Sequence, residues 1–237
     1  MRNTTEEIIN EINTYRDESK AAFLPRFFKT GKGEYGEGDQ FIGVVVPNLR
    51  IVAKKHFDAD FDTLRELLAS PYHEYRLTAL LALTYRYAKL KDHTSRETCV
   101  NFYVSQVDAI NNWDLVDLSC YKILGHWLFD KDKQLLYDWA KENHLWKQRI
   151  AMISCMHFVK HGEFKDALAI ADLLQHHPHD LIHKAVGWIL REIGKEDEQL
   201  LVDYLTPRYK EMPRTMLRYA IERFEEGKRK AFLNSTI

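Results

Sequence analysis

Apolar residues recur at steps of three and four in FDTLRELLASP (61–71), YRLTALLALTYRYAK (75–89) and DALAIADLLQHH (166–177). That spacing lines one face of a helix, and the period-two alternation of half-buried strands is nearly absent. Roughly a dozen helices are expected from this periodicity. The segment GKGEYGEGD (31–39) interrupts it with four glycines. It has no GK[ST] ending and no apolar strand before it, so it reads as a plain loop rather than a phosphate cradle. Pro47 then opens PNLRIVAKKHF (47–57), at a position that a first helical turn tolerates.

From about residue 60 an internal repeat appears, each unit a helix, a short polar turn and a second helix. The second helices are expected to begin near Arg76, Asp114, Arg149, Lys184 and Arg214, at steps of 38, 35, 35 and 30 residues. Each start is followed by an apolar stretch: LTALLAL, LVDLSCY, IAMISCM, AVGWIL and TMLRYAI. Helix pairs at this period are the signature of an α-solenoid, because one pair cannot bury both its faces alone. The expected fold is all-α: a HEAT-like superhelix of stacked antiparallel helix pairs with one concave surface. A single domain over 1–237 is expected, with N-terminal helices in 1–57 and regular pairs over about 58–232, since no Gly/Pro/Ser-rich linker divides the chain.

Equivalent positions in stacked repeats point the same way. Arg76, Arg149, Lys184 and Arg214 are therefore expected in a line along the second-helix layer, with Lys147, Arg191 and Arg218 close by. Such a row suits a polyanion, because each cation placed on a phosphate releases counterions. Taken singly, each of these residues reads more readily as a solvated or acid-paired surface cation; the register of the anchors makes the collective case better. One repeat departs from the rule, with Asp114 in place of the cation, Trp113 before it and Asp117 one turn on.

Composition narrows the class. Only ten glycines and six prolines occur in 237 residues, which favours long helices. The three cysteines, Cys99, Cys120 and Cys155, are far apart and form no CxxC pair, so neither a disulfide framework nor a cysteine zinc site is expected. The N-terminus has no apolar signal core and no run reaches the length of a membrane span, so a cytoplasmic location and no membrane partner are expected. The net charge of -1 leaves local charge placement to decide between partners.

Trp113 and Asp117 are four apart and share a helix face, as do Lys184, Trp188 and Arg191. Indole faces attract a cation, and a carboxylate adds a full negative charge. Such a set suits a substrate or transition state that turns positive within a surface that holds phosphates. Loss of a cationic alkylated purine from its sugar has that character: the base leaves without an acid, and positive charge grows on the sugar. Core packing is the competing reading for both tryptophans, and pairing with a nearby arginine for Asp117. His157 with His161, and His179 with His183, have helical spacing, but no HExxH occurs and nothing completes a ligand set. Neither a metal nor a cofactor is expected.

The blocks NWDLVD (112–117), LWKQRIAMIS (145–154), HKAVGWILREIGK (183–195) and MPRTMLRYAIERF (212–224), with RFFKTGKGEYGEGDQFIGVVVPNLR (26–50), resemble the bacterial AlkD-type DNA alkylation-repair glycosylase family. The resemblance runs in order through nearly the whole chain. It implies a monofunctional glycosylase that releases positively charged N3- or N7-alkylpurines from double-stranded DNA. It assigns Trp113, Asp117 and Trp188 to the reaction and Arg149 to the DNA-facing cleft. Lys184 and Arg191 fit contacts to the DNA backbone. Phe27 stands where some members carry tyrosine, so the resemblance implies a DNA contact there that loses a hydroxyl and keeps aromatic stacking. A monomer is expected. A non-catalytic binder of damaged or branched DNA and a protein-interaction scaffold are the alternatives.

Overall fold

The computed structural model describes residues 4–236. The first three residues of the N-terminal segment read for a signal core therefore lie outside the description. Every long element among the described residues is helical, and the sole β-type feature is an isolated bridge between Gln40 and Tyr72. The all-α expectation holds, and the helix pairs are consistent with an α-solenoid. None of the described helices is long and apolar enough to cross a membrane. The chain divides into two compact units, Met1–Ile123 and Leu124–Ile237.

The first unit contains α1 (Thr5–Asn13), α2 (Glu18–Phe27), α3 (Val46–Lys55), α4 (Phe61–Leu68), α5 (His73–Lys89), α6 (His93–Ser105) and the short α7 (Trp113–Asp117). Local chemistry starts them where the sequence provides caps. Thr4 and Glu7 form a reciprocal capping box on α1, and the carboxylates of Asp17, Asp60 and Asp92 accept first-turn amides of α2, α4 and α6, satisfying donors that a helix end leaves open. Helix α5 is the hub. It packs against α3, α4, α6 and α7, and thirteen of its seventeen residues are buried. That explains why its apolar pattern wraps most of the helix rather than one stripe.

The second unit contains α8 (His126–Leu128), α9 (Gln134–Lys141), α10 (Leu145–Ser154), α11 (Met156–Val159), α12 (Lys165–Leu174), α13 (Asp180–Glu196), α14 (Glu198–Leu205), α15 (Arg214–Ala220) and α16 (Glu226–Asn234). Its hub is α13, packed against α10, α11, α12, α14 and α15. Gly187 permits the closest approach: a Cβ there would lie 2.5 Å from the Met216 carbonyl oxygen and 2.5 Å from Cβ of Tyr219. His144 and His179 cap α10 and α13 through Nδ1, which accepts the amides of Lys147 and Leu181. The second helices thus begin at His73, Trp113, Leu145, Asp180 and Arg214, within about one turn of the expected starts.

Candidate functional site

Helix α7 presents the first part of the site. The Asn112 side chain, fully buried, accepts the Trp113 amide at 2.9 Å and sets the start of the helix. Trp113 and Asp117 then emerge half-buried, one turn apart. Trp113 does not stand alone. Its ring stacks on Phe28, with centroids 5.4 Å apart and planes 20° from parallel, and meets the edge of Phe27 at 5.9 Å. Phe27, expected from sequence to contact DNA, is 51% exposed and also stacks with Phe23. The structure therefore brings Phe27 and Trp113 together in an aromatic patch open to solvent.

Beneath that patch lies a buried polar network that sequence reasoning missed. His73 Nε2 is 2.8 Å from Asp114 Oδ2, and Nδ1 is 3.3 Å from Asp39 Oδ2. Asp39 also receives Arg76 at 2.7 Å and the Asn111 amide at 2.9 Å. Burial by itself lowers the pKa of an imidazole, but the adjacent carboxylates outweigh it and hold His73 at about 9. Burial likewise works to raise Asp39, yet His73, Arg76 and Asn111 bring it below the ordinary value. The next residue, Glu74, is 2% exposed, and one of its oxygens accepts the amides of Ile42, Gly43 and Val44. Burial pushes its pKa up. Asp114 was the one sequence signal for this network: an acid where the other repeats carry a cation. It is buried and held by His73, so it does not add to an exposed anionic centre.

Asp117 sits near a different group. Its charge acts on the fully buried Tyr103 hydroxyl, whose pKa is raised mainly by burial; that hydroxyl lies 3.1 Å from Ser119 Oγ.

The predicted row of cations proves to be of several kinds. Arg76 and Arg149 are 5% and 4% exposed, which corrects the expectation that both offer charge at the surface. Arg76 donates to the Ser70 carbonyl and to Asn111 besides pairing with Asp39. Arg149 donates to the Leu181 carbonyl and so ties α10 to the first turn of α13. These hydrogen bonds offset part of the cost of taking a guanidinium from water, although the buried Nε of Arg76 has no partner among the described residues. The others stay nearer solvent with acidic partners. Lys147 pairs with Glu142 at 2.6 Å, Lys184 with Asp180 at 2.6 Å, and Arg191 with Glu222 and, at 3.6 Å, Glu192. Arg214 is exposed and donates to the Leu233 carbonyl at 2.6 Å. Trp188 is half-buried on α13, immediately after the tight approach at Gly187, with Lys184 and Arg191 on the same helix.

The histidines singled out by spacing serve local structure. His157 rings against His126 and His161, and burial with those neighbours lowers its pKa to about 4. His177 accepts the His179 amide, and His183 meets the His177 carbonyl. No group of three or more potential metal ligands occurs among the described residues.

Residues 8–224 match the DNA alkylation repair enzyme family, and the chain belongs to that family. The protein is accordingly an enzyme of DNA repair. A solved structure of a predicted DNA alkylation repair enzyme from Enterococcus faecalis is similar to it, with TM-score 0.68 and 14% identity over 89% of this chain and 97% of that one. At that identity the likeness concerns the fold. No curated protein matches the chain.

Proposed function

We propose that the chain is a monofunctional DNA glycosylase that hydrolyses the N-glycosidic bond of cationic N3- or N7-alkylpurines in double-stranded DNA. The observation that carries this reading is the pairing of Trp113 and Asp117 one turn apart on α7, both half-buried, with Trp113 against the exposed ring of Phe27, in a member of a DNA alkylation repair family. The bond between C1′ and the purine nitrogen breaks, and its electron pair leaves with the base, which departs neutral. The positive charge passes to the sugar. The Asp117 carboxylate stabilises that charge and orients a water, whose oxygen bonds to C1′ while its proton passes to solvent. Trp113 offers an aromatic face to the cationic nucleotide.

Lys147, Lys184, Arg191 and Arg214 are proposed to grip phosphates. The first three exchange carboxylate partners for phosphate oxygens, a swap that costs little where the existing pairs are solvated. Arg76 and Arg149 support the surface from within.

The test is release of purines from methylated duplex DNA. The expected result is 3-methyladenine or 7-methylguanine in the supernatant at a rate above the spontaneous one. Salt-sensitive DNA binding without any release would overturn the glycosylase and leave a non-catalytic binder.

A further inference from the structure

We propose that His73, together with Asp114 and Asp39, is a positioning residue that sets the placement of Trp113 and Asp117. This rests on the reading of those two residues as the reacting face. Three segments meet at the His73 ring: the first turn of α5, which carries it; α7, through Asp114; and the loop before α3, through Asp39. An imidazole in doubly protonated form donates from both nitrogens, and the two carboxylates take one donor each. Its ring also lies against Phe28 at 4.7 Å and Phe41 at 5.0 Å. Phe28 is the ring on which Trp113 stacks. The same side chain thus fixes the backbone of α7 through Asp114 and the plane beneath Trp113 through Phe28.

Helix stability alone does not account for this arrangement. A cation in the first turn of a helix opposes the macrodipole, and burying three charged groups carries a large desolvation cost. The two carboxylates reverse the sign only because they come from other segments, so what the network holds is their relative position. Glu74 extends the clamp by gathering three successive amides of the loop, Ile42 to Val44. The charged groups acting on His73 are Asp114 and Asp39, which favour the cation, and Arg76 on its own helix, which opposes it; the Glu74 carboxylate in turn feels the His73 charge. Neutral His73 has one donor left and must give up one carboxylate.

The experiment uses the full chain with 5-fluorotryptophan, the Trp113 resonance being assigned through Trp113→Phe. The variants are Asp114→Asn, which keeps volume and an acceptor oxygen, and His73→Gln. In the parent protein the Trp113 resonance should titrate with a midpoint near pH 9. Both variants should shift that resonance; His73→Gln should abolish the step, and Asp114→Asn should move it to lower pH, since Asp39 alone still favours the cation. Single-turnover release from N7-methylguanine DNA should fall by about ten- to a hundredfold, the loss expected for a small misplacement. Affinity for undamaged DNA should stay within about twofold, since no phosphate contact is touched. If His73→Gln fails to fold, Asp114→Asn decides the matter. An unmoved Trp113 resonance in Asp114→Asn, with the pH step also unmoved, overturns the proposal. Absence of release by the parent protein would count against the glycosylase reading only, because the resonance still reports on His73.

Discussion

The ring of Phe28 lies face to face with that of Trp113, 5.4 Å between centroids, while its own surroundings include His73 and Phe41. Trp113 therefore rests on a buried aromatic support rather than on the edge of a solvent-filled groove. Phe28→Leu removes that support while keeping an apolar group of similar bulk. The expected cost is about 1–2 kcal/mol of stability, from lost packing and stacking. The rate of base release should fall more than the affinity for undamaged DNA. Denaturant titration and single-turnover kinetics on one preparation check both.

Gly187→Ala sets two effects against each other. Alanine favours a helix interior over glycine by about 1 kcal/mol. The added methyl would meet a backbone carbonyl and a Cβ at 2.5 Å, and neither can swing away. Overpacking of this kind costs about 1–3 kcal/mol, so net destabilisation is expected. A lowered urea midpoint with unchanged slope is the predicted result, and a raised midpoint would show that α13 and α15 separate freely.

Stability should fall at both ends of the pH range, for opposite reasons. His73 is raised to about 9, above the value near 6.5 of an unfolded histidine. Its contribution is complete below about pH 6.5 and is lost as pH rises through 9, by about 3 kcal/mol in all. His157, lowered to about 4, and His177 and His179, also lowered, bind protons more readily unfolded than folded. Their contribution is present above pH 6.5 and disappears as pH falls toward 4. Urea midpoints across pH 4–10 should trace a dome. In Asp114→Asn its alkaline limb should flatten while its acid limb persists.

The cations divide into two groups by what their removal does. Arg76→Met leaves Asp39 buried with one cation fewer, and a loss of about 3 kcal/mol is expected. Lys184→Ala and Arg214→Ala touch a half-buried and an exposed group, so stability should change little. For each, the salt dependence of DNA binding should weaken by close to one counterion. Binding isotherms at several salt concentrations, beside thermal melts, separate the two behaviours.

The helices were legible in sequence because their apolar steps and caps are local signals. The anchor spacing placed α5, α7, α10, α13 and α15 to within about a turn. What the sequence did not reveal is which side of a helix each cation takes. Arg76 and Lys184 occupy comparable places in their repeats, yet Arg76 meets Asp39 from a distant loop and Lys184 meets Asp180 one turn away. Only the first is buried, and no periodicity distinguishes them. The His73 network was hidden for the same reason: His73 lies 34 residues from Asp39 and 41 from Asp114, and long-range pairs of buried charge carry no local pattern. The Trp113–Asp117 pair was readable because a four-residue step on a helix is enough to place both on one face.

The proposed chemistry turns on Asp117. The most direct measurement is the single-turnover rate of 7-methylguanine release from a defined duplex, with the parent protein and with Asp117→Asn, at saturating protein. The variant is expected to bind the duplex as the parent does and to release base at least about a hundredfold more slowly, the loss of one charge-stabilising group. Equal rates for the two proteins would contradict that chemistry.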